Sequence, residues 1–89
     1  MKEPTKEIDY SALPHHMRLG ARLYLEDGIS PGSFLHIVLA NDLVGAWGAA
    51  DEDNRAALST WAEWLHNECP KSAWGSYAVV RRWIANRRP

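Results

Sequence analysis

A helix stop, two helix starts and a long apolar run follow one another within the segment from Gly28 to Asn54. Gly28 is the kind of residue that closes a helix in a left-handed conformation. Ser30-Pro31 then combines a favoured N-cap residue with a proline suited to the first helical turn. Asp51, followed by two further acids, is a second N-cap candidate at the positive end of a helix dipole. This succession predicts short helices joined by tight turns, and hence a compact all-α domain.

Apolar residues recur at helical spacing on both sides of these signals. The pattern predicts helices from about Pro14 to Asp27, from Ser30 to about Ala49, from Asp51 to near Cys69, and from Ser76 onward. Asn41-Asp42 interrupts the second of them, so two helices with a kink near Asn41 are an alternative to one straight rod. No window alternates with period two. We therefore expect an all-α bundle of four, or in the alternative five, short helices without a sheet.

The apolar stripes also predict which side chains are buried. These are Leu13, Met17, Ala21, Tyr24 and Leu25 in the first helix, Phe34, Leu35, Val38, Leu39, Leu43, Ala46 and Trp47 in the second, and Leu58, Trp61, Ala62 and Leu65 in the third. Ile37 and Val44 lie outside the second stripe, which suggests a central helix covered on more than one side. Residues 1–12 lack such a pattern and are predicted to form a flexible arm, partly docked through Ile8 and Tyr10. Residues 13–89 are predicted to form a single helical domain with a basic C-terminal tail.

Composition narrows the class of protein. A single cysteine, Cys69, excludes an internal disulfide framework. The charged N-terminal run MKEPTKEIDYS has no apolar core and does not resemble a signal peptide. No apolar run approaches the roughly 18 residues that a membrane-spanning helix needs. We expect a cytoplasmic protein that does not act at a membrane.

Few residues suggest reaction chemistry. His66 and Cys69 are three residues apart on a predicted helix, and both side chains are competent zinc ligands. A structural zinc site, however, requires four ligands in two such pairs. A catalytic cysteine needs a nearby base and a positive environment, whereas Cys69 follows Glu68. Asp42 interrupts an apolar helix, and its carboxylate is expected to accept from a neighbouring N–H, a tryptophan indole or a C-terminal arginine. The sequence thus predicts no metal, no cofactor and no enzymatic activity.

Charge is divided unevenly along the chain. Residues 23–70 carry eight acids and one base, Arg55, whereas residues 71–89 carry five bases and no acid. The candidate partner-binding residues are Arg81, Arg82, Arg87 and Arg88 with the tryptophans Trp74 and Trp83. The acidic corner Glu52–Asp53 is an alternative candidate contact surface. The same arginines could bind the phosphates of a nucleic acid, so nucleic-acid binding is the second hypothesis. A pI of about 6.4 argues against it.

The run LPHHMRLGARLYLEDGISPGSFLHIVLANDLVGAWGAADEDN, the loop PKSAWGS and the terminal VVRRWI resemble a family of small proteins encoded by tailed bacteriophages and prophages. The chain departs from that pattern at His36, where a small hydroxyl residue is usual, and in its arginine-rich tail. The family has no assigned activity, and the resemblance implies a context rather than a reaction.

In that context the favoured hypothesis is a non-enzymatic phage or prophage accessory protein that binds a host or phage protein, as an inhibitor or adaptor of host machinery. A metal-dependent enzyme or zinc-stabilised fold using His66 and Cys69 is a third, more distant alternative. Apolar surface on the central helix also leaves a homodimer open.

Overall fold

The computed structural model describes residues 7–87, and this part of the chain is built from helices alone. Its six α-helices are α1 (Arg18–Asp27), α2 (Ser33–Leu39), α3 (Leu43–Ala49), α4 (Glu52–Ala56), α5 (Leu58–Asn67) and α6 (Tyr77–Arg87). Short 3-10 helices, His15–Met17 and Lys71–Ala73, precede α1 and α6. No strand occurs between residues 7 and 87. The predicted all-α bundle is confirmed, with six α-helices rather than four or five.

Two of the predicted helices are each divided in the structure. Asn41 adopts a left-handed conformation with φ of 64°, and the Asp42 carboxylate then caps α3 by accepting from the Gly45 amide at 2.9 Å. The alternative of a break near Asn41 is therefore confirmed. The second break, at Ala57, was not expected. The Ala57 amide is shared between the carbonyls of Asp53 and Asn54, a local tightening that ends α4 before α5 begins at Leu58.

The other helix ends follow the sequence signals with one exception. Gly28 closes α1 with φ of 68°, Asp51 accepts from the Asn54 amide at 2.8 Å, and the Ser76 hydroxyl accepts from the Val79 amide at 3.1 Å. The predicted start of the second helix at Ser30-Pro31 is wrong, because α2 begins at Ser33 after an N-cap at Gly32. The Gly32 carbonyl accepts the first helical hydrogen bond, from the His36 amide.

Trp61 lies at the centre of the core. It is 1% exposed and packs edge-on against Phe34 and Trp64, with ring centroids 5.7 and 5.9 Å apart. Its indole N–H donates to the Asn54 side-chain oxygen at 3.0 Å. Asn54 is itself only 2% exposed, so this hydrogen bond lies inside the core. The buried apolar side chains around it come from all parts of the fold: Leu13, Tyr24, Leu25, Leu35, Val38, Leu39, Leu65 and Val80.

Several side chains of the predicted inner stripes are not inside. Leu43 and Trp47 are 72% and 55% exposed, and Val44, which lies outside the predicted stripe, is 80% exposed. The prediction that the second helix is central and covered on more than one side is therefore wrong for its α3 part. The break at Asn41–Asp42 turns α3 away from the axis of α2, and Ala46 is its one buried residue. Ala62, predicted to face inward from α5, is also exposed.

The segment before α1 is held against α5. The Trp64 indole N–H donates to the Asp9 carbonyl, and the Asp9 amide donates to the Glu68 carboxylate, both at 3.0 Å. Ile8 and Tyr10 pack against the core, as the sequence suggests. The sequence analysis predicted a flexible arm over residues 1–12. Residues 1–6 of that arm lie outside the described residues. No helix in residues 7–87 has the length and apolarity to span a membrane.

Asp42 is expected to contribute to stability in a pH-dependent way. Its pKa is lowered by the hydrogen bond from the Gly45 amide and then by the one from the Tyr77 hydroxyl. A lowered pKa stabilises the fold above the ordinary value of 3.8, and this contribution is lost as the pH falls through the folded-state pKa. Asp42→Ala should therefore lower the Tm by a few degrees at pH 7, and the difference from the native chain should shrink below pH 3.8. Thermal melts followed by circular dichroism at both pH values would check this. An undiminished difference in acid would contradict it.

Candidate functional site

Three of the predicted partner-binding residues line one groove between the second 3-10 helix and α6. The groove holds about 470 Å³ and lies on the basic part of the chain. We call it the cationic groove, and its lining residues are Lys71, Ser72, Val79, Arg82, Trp83, Asn86 and Arg87. Arg82, Trp83 and Arg87 lie along one face of α6, because each is three or four residues away from another lining residue of that helix, with Val79 and Asn86 completing the set. Lys71 joins them from the 3-10 helix, and the sequence analysis did not single it out.

Trp83 fixes the wall of this groove. Its indole N–H donates to the Tyr24 carbonyl of α1 at 2.9 Å, and its ring lies 6.3 Å from that of Tyr24. The Arg87 guanidinium covers the Trp83 ring, 3.8 Å from its centroid. Trp83 therefore anchors α6 to α1 and orients Arg87, and this ring face is already occupied.

The groove carries positive charge without internal compensation. No acid occurs between residues 71 and 89. In the part of the chain that the structure describes, neither Lys71, Arg82 nor Arg87 forms an ion pair with a carboxylate. All three residues are exposed. Such a surface attracts anionic groups of a partner.

The remaining predicted residues lie elsewhere. Arg81 is exposed but does not line the groove; it follows Tyr77 by one turn on α6. Trp74 is half-buried against the core, and its indole nitrogen has no hydrogen-bond acceptor within residues 7–87. Arg88 lies outside the described residues. The role of all these residues in binding stays a prediction.

A second surface lies on α3, where the sequence analysis noted surplus apolar surface but placed Leu43 and Trp47 in the buried stripe. Leu43, Val44 and Trp47 point outward from α3, and we call these three residues the α3 face. The Arg55 guanidinium lies 4.7 Å from the centroid of the Trp47 ring and donates to the Trp47 and Ala50 carbonyls at 3.4 Å. The signals were present in the sequence, since Asn41-Asp42 and the glycines of α3 mark a helix separate from α2.

The start of α3 is tied to the start of α6. The Tyr77 hydroxyl donates to the Asp42 carboxylate at 2.9 Å, and the Tyr77 ring stacks on that of His36 at 5.8 Å. The hydrogen bond to Asp42 raises the pKa of Tyr77. Of the partners considered for Asp42, the neighbouring N–H is confirmed. Tyr77, thirty-five residues away, was missed.

The other candidates for chemistry are dispersed. His66 is exposed, whereas Cys69 is buried. Burial raises the pKa of the Cys69 thiol to about 12, so the thiol is protonated at neutral pH and is a weak nucleophile. Among residues 7–87, no three histidine, cysteine or acidic side chains are grouped as a metal site would require. The acids Glu52 and Asp53 are exposed on α4, and Asp51 beside them pairs with His16 at 3.0 Å.

Comparisons with models of protein families, with curated proteins and with solved structures give no match.

Proposed function

We propose that this protein is a non-enzymatic accessory protein of phage or prophage origin that acts in the cytoplasm by binding another protein. The partner, from the host or the phage, presents an acidic segment to the cationic groove. The observation that carries the proposal is the convergence of Lys71, Arg82 and Arg87 on one groove without ion-pair partners among residues 7–87. Binding there would make the protein an inhibitor or adaptor of the machinery to which its partner belongs.

The geometry of Trp83 favours an acidic protein segment over nucleic acid. Proteins that bind single strands stack bases on open aromatic faces. The Trp83 ring is half-buried, is tethered through its N–H to Tyr24, and carries Arg87 on one face at 3.8 Å. A base would have to displace Arg87 to stack there. A carboxylate can instead bond to the guanidinium in place, because a guanidinium stacked on a ring keeps its N–H edge free for bidentate hydrogen bonds.

Nucleic-acid binding is the second candidate function, because exposed cations in a groove also attract phosphates. It uses Lys71 and Arg82 as point charges and does not need an open ring face. The acidic residues of α4 and of the middle of the chain would repel the phosphates of a long nucleic acid. A short nucleic acid could still contact the groove without reaching them.

Charge reversal at Arg82 separates these functions. Binding of a fluorescent Asp/Glu-rich peptide and of DNA oligomers of similar length should be followed by anisotropy at several salt concentrations. We expect the native chain to bind the peptide, and Arg82→Glu to weaken binding by about tenfold or more, because a repulsive charge replaces an attractive one in the groove. Arg22→Glu is the matched control, since it makes the same charge change on the exposed side of α1 and should have little effect.

Each other outcome has a definite meaning. Tighter binding of DNA, with a salt slope that Arg82→Glu flattens, would replace the proposal by the nucleic-acid alternative. Equal effects of the two substitutions would show general charge attraction and would overturn the groove as a site. A partner captured from host lysate should likewise be lost with Arg82→Glu and retained with Arg22→Glu.

A further inference from the structure

The cationic groove has apolar side chains in its lining as well as positive charges. Val79 and Trp83 are half-buried and line it beside the cations, and none of its described lining residues is acidic. Both are held in place. The Val79 amide donates to the Ser76 hydroxyl at 3.1 Å in the cap of α6, and the Trp83 indole N–H donates to the Tyr24 carbonyl at 2.9 Å. The groove therefore offers a partner fixed apolar surface in addition to charge.

The order of the lining residues along α6 separates an apolar end of the groove from a charged end. Val79, Trp83 and Arg87 follow one another at steps of four residues and form one row on the helix surface. Val79 lies in the first turn of α6, and Arg87 is its last residue. At a rise of about 1.5 Å per residue the two ends are about 12 Å apart, a distance that about four residues of extended chain would span. The segment that fits this wall is therefore short.

Charge alone would give the groove little affinity. Lys71, Arg82 and Arg87 are exposed, and ion pairs at exposed positions are weakened by water and by salt. The removal of apolar surface from water is favourable in proportion to its area. A purely acidic segment would leave the apolar atoms of Val79 and Trp83 in contact with water, whereas a segment that also carries an apolar side chain would cover them.

We infer that the partner segment joins its acids to a large aliphatic side chain such as leucine, which packs on Val79 and Trp83 while the acids pair with Arg82 and Arg87. This inference rests on the proposed function and specifies the partner that the cationic groove selects. The Arg87 guanidinium already covers one face of the Trp83 ring, 3.8 Å from its centroid. An aromatic side chain would compete with it for that face, whereas an aliphatic one needs only contact area.

Two peptides of equal length and equal charge test this inference. Both carry the same glutamates, which are separated by serines in one peptide and by leucines in the other. Binding to the full chain is followed by fluorescence anisotropy at two salt concentrations. We expect the leucine peptide to bind about tenfold more tightly. Added salt should weaken both peptides but leave the ratio of their affinities nearly constant, because salt screens the charges and not the apolar contact.

Val79→Ala removes part of the apolar lining and keeps every charge. It should reduce the preference for the leucine peptide several-fold and leave the affinity for the serine peptide unchanged. Val44→Ala is the matched control, since it makes the same change on the exposed α3 face and should alter neither affinity. Circular dichroism shows whether the variants are folded. The comparison of the two peptides on the native chain decides even if Val79→Ala is not.

The possible outcomes separate this inference from the proposed function. Equal binding of the two peptides, with both weakened by Arg82→Glu, would overturn the inference and leave the acidic-segment function standing. Absence of binding by either peptide would overturn both. A preference for leucine that Val79→Ala and Val44→Ala change equally would place the apolar contact outside the groove, and this result would overturn the inference as well.

Discussion

Replacing Trp61 by alanine is expected to destabilise this protein more than any other single truncation of its core. The side chain is 1% exposed and makes T-shaped ring contacts with Phe34 and Trp64. Emptying such a site costs about 3–5 kcal/mol. The Asn54 side-chain oxygen would also lose its hydrogen bond from the Trp61 indole N–H, which is 3.0 Å long. A buried acceptor left without a donor costs roughly 1–3 kcal/mol. A domain of 89 residues with roughly 0.05–0.15 kcal/mol per residue has about 4–13 kcal/mol of stability in all, so a loss of about 4–8 kcal/mol is a large part of the total.

Urea unfolding followed by circular dichroism measures this change, with Trp47→Ala as the matched control. Trp47 is 55% exposed and contacts the Arg55 guanidinium from outside, so its removal should change the free energy of unfolding by about 1 kcal/mol at most. Trp61→Phe keeps an aromatic ring but removes the N–H, and should fall between the two. Equal effects at positions 61 and 47 would contradict the assignment of Trp61 as the centre of the core.

Local signals in the sequence were sufficient for the helix class and most helix ends. Gly28, Asp51 and Ser76 act within three or four residues of themselves, through a backbone conformation or a hydrogen bond to a nearby amide. Such effects do not depend on the rest of the fold. Most buried positions of α1 and α5, including Tyr24 and Trp61, also followed from helical spacing, although Ala62 was wrongly placed inside.

The exposure of α3 could not follow from spacing. The apolar stripe runs through Asn41 without a change of period, and only the left-handed conformation of Asn41 turns the helix that follows. Once α3 has turned, Leu43 and Trp47 point outward although they continue the stripe. Pattern analysis identified the break but could not give its angle, and the angle decides which face is buried.

The site depends on contacts between residues far apart in the chain. Trp83 donates to the carbonyl of Tyr24, fifty-nine residues earlier, and Tyr77 donates to Asp42, thirty-five residues earlier. Lys71 enters the groove through the packing of a 3-10 helix on α6. The sequence therefore marked the arginines as unusual, but it could not separate Arg82 and Arg87, which share the groove, from Arg81, which does not line it.

The attachment of α6 to α1 leads to the second large effect, at Gly28. This residue has φ of 68°, and a Cβ added there would overlap the Cβ of Arg87 and approach the Ile84 carbonyl at 3.4 Å. Gly28→Ala should cost about 1–2 kcal/mol for the left-handed conformation, with a further cost for displacing α6. Because Arg87 and Trp83 would move together, acidic-peptide binding should weaken although every groove side chain is still present.

Gly48→Ala supplies the opposite control for the same chemical change. An added Cβ at Gly48 meets nothing within 4 Å, and alanine in a helix interior is favoured over glycine by about 0.5–1 kcal/mol. We expect its Tm to rise slightly while that of Gly28→Ala falls by several degrees. If Gly28→Ala melted like the native chain and bound the acidic peptide equally well, α6 would have to tolerate a shift at this contact. The groove would then be held by Trp83 and its hydrogen bond to Tyr24 alone.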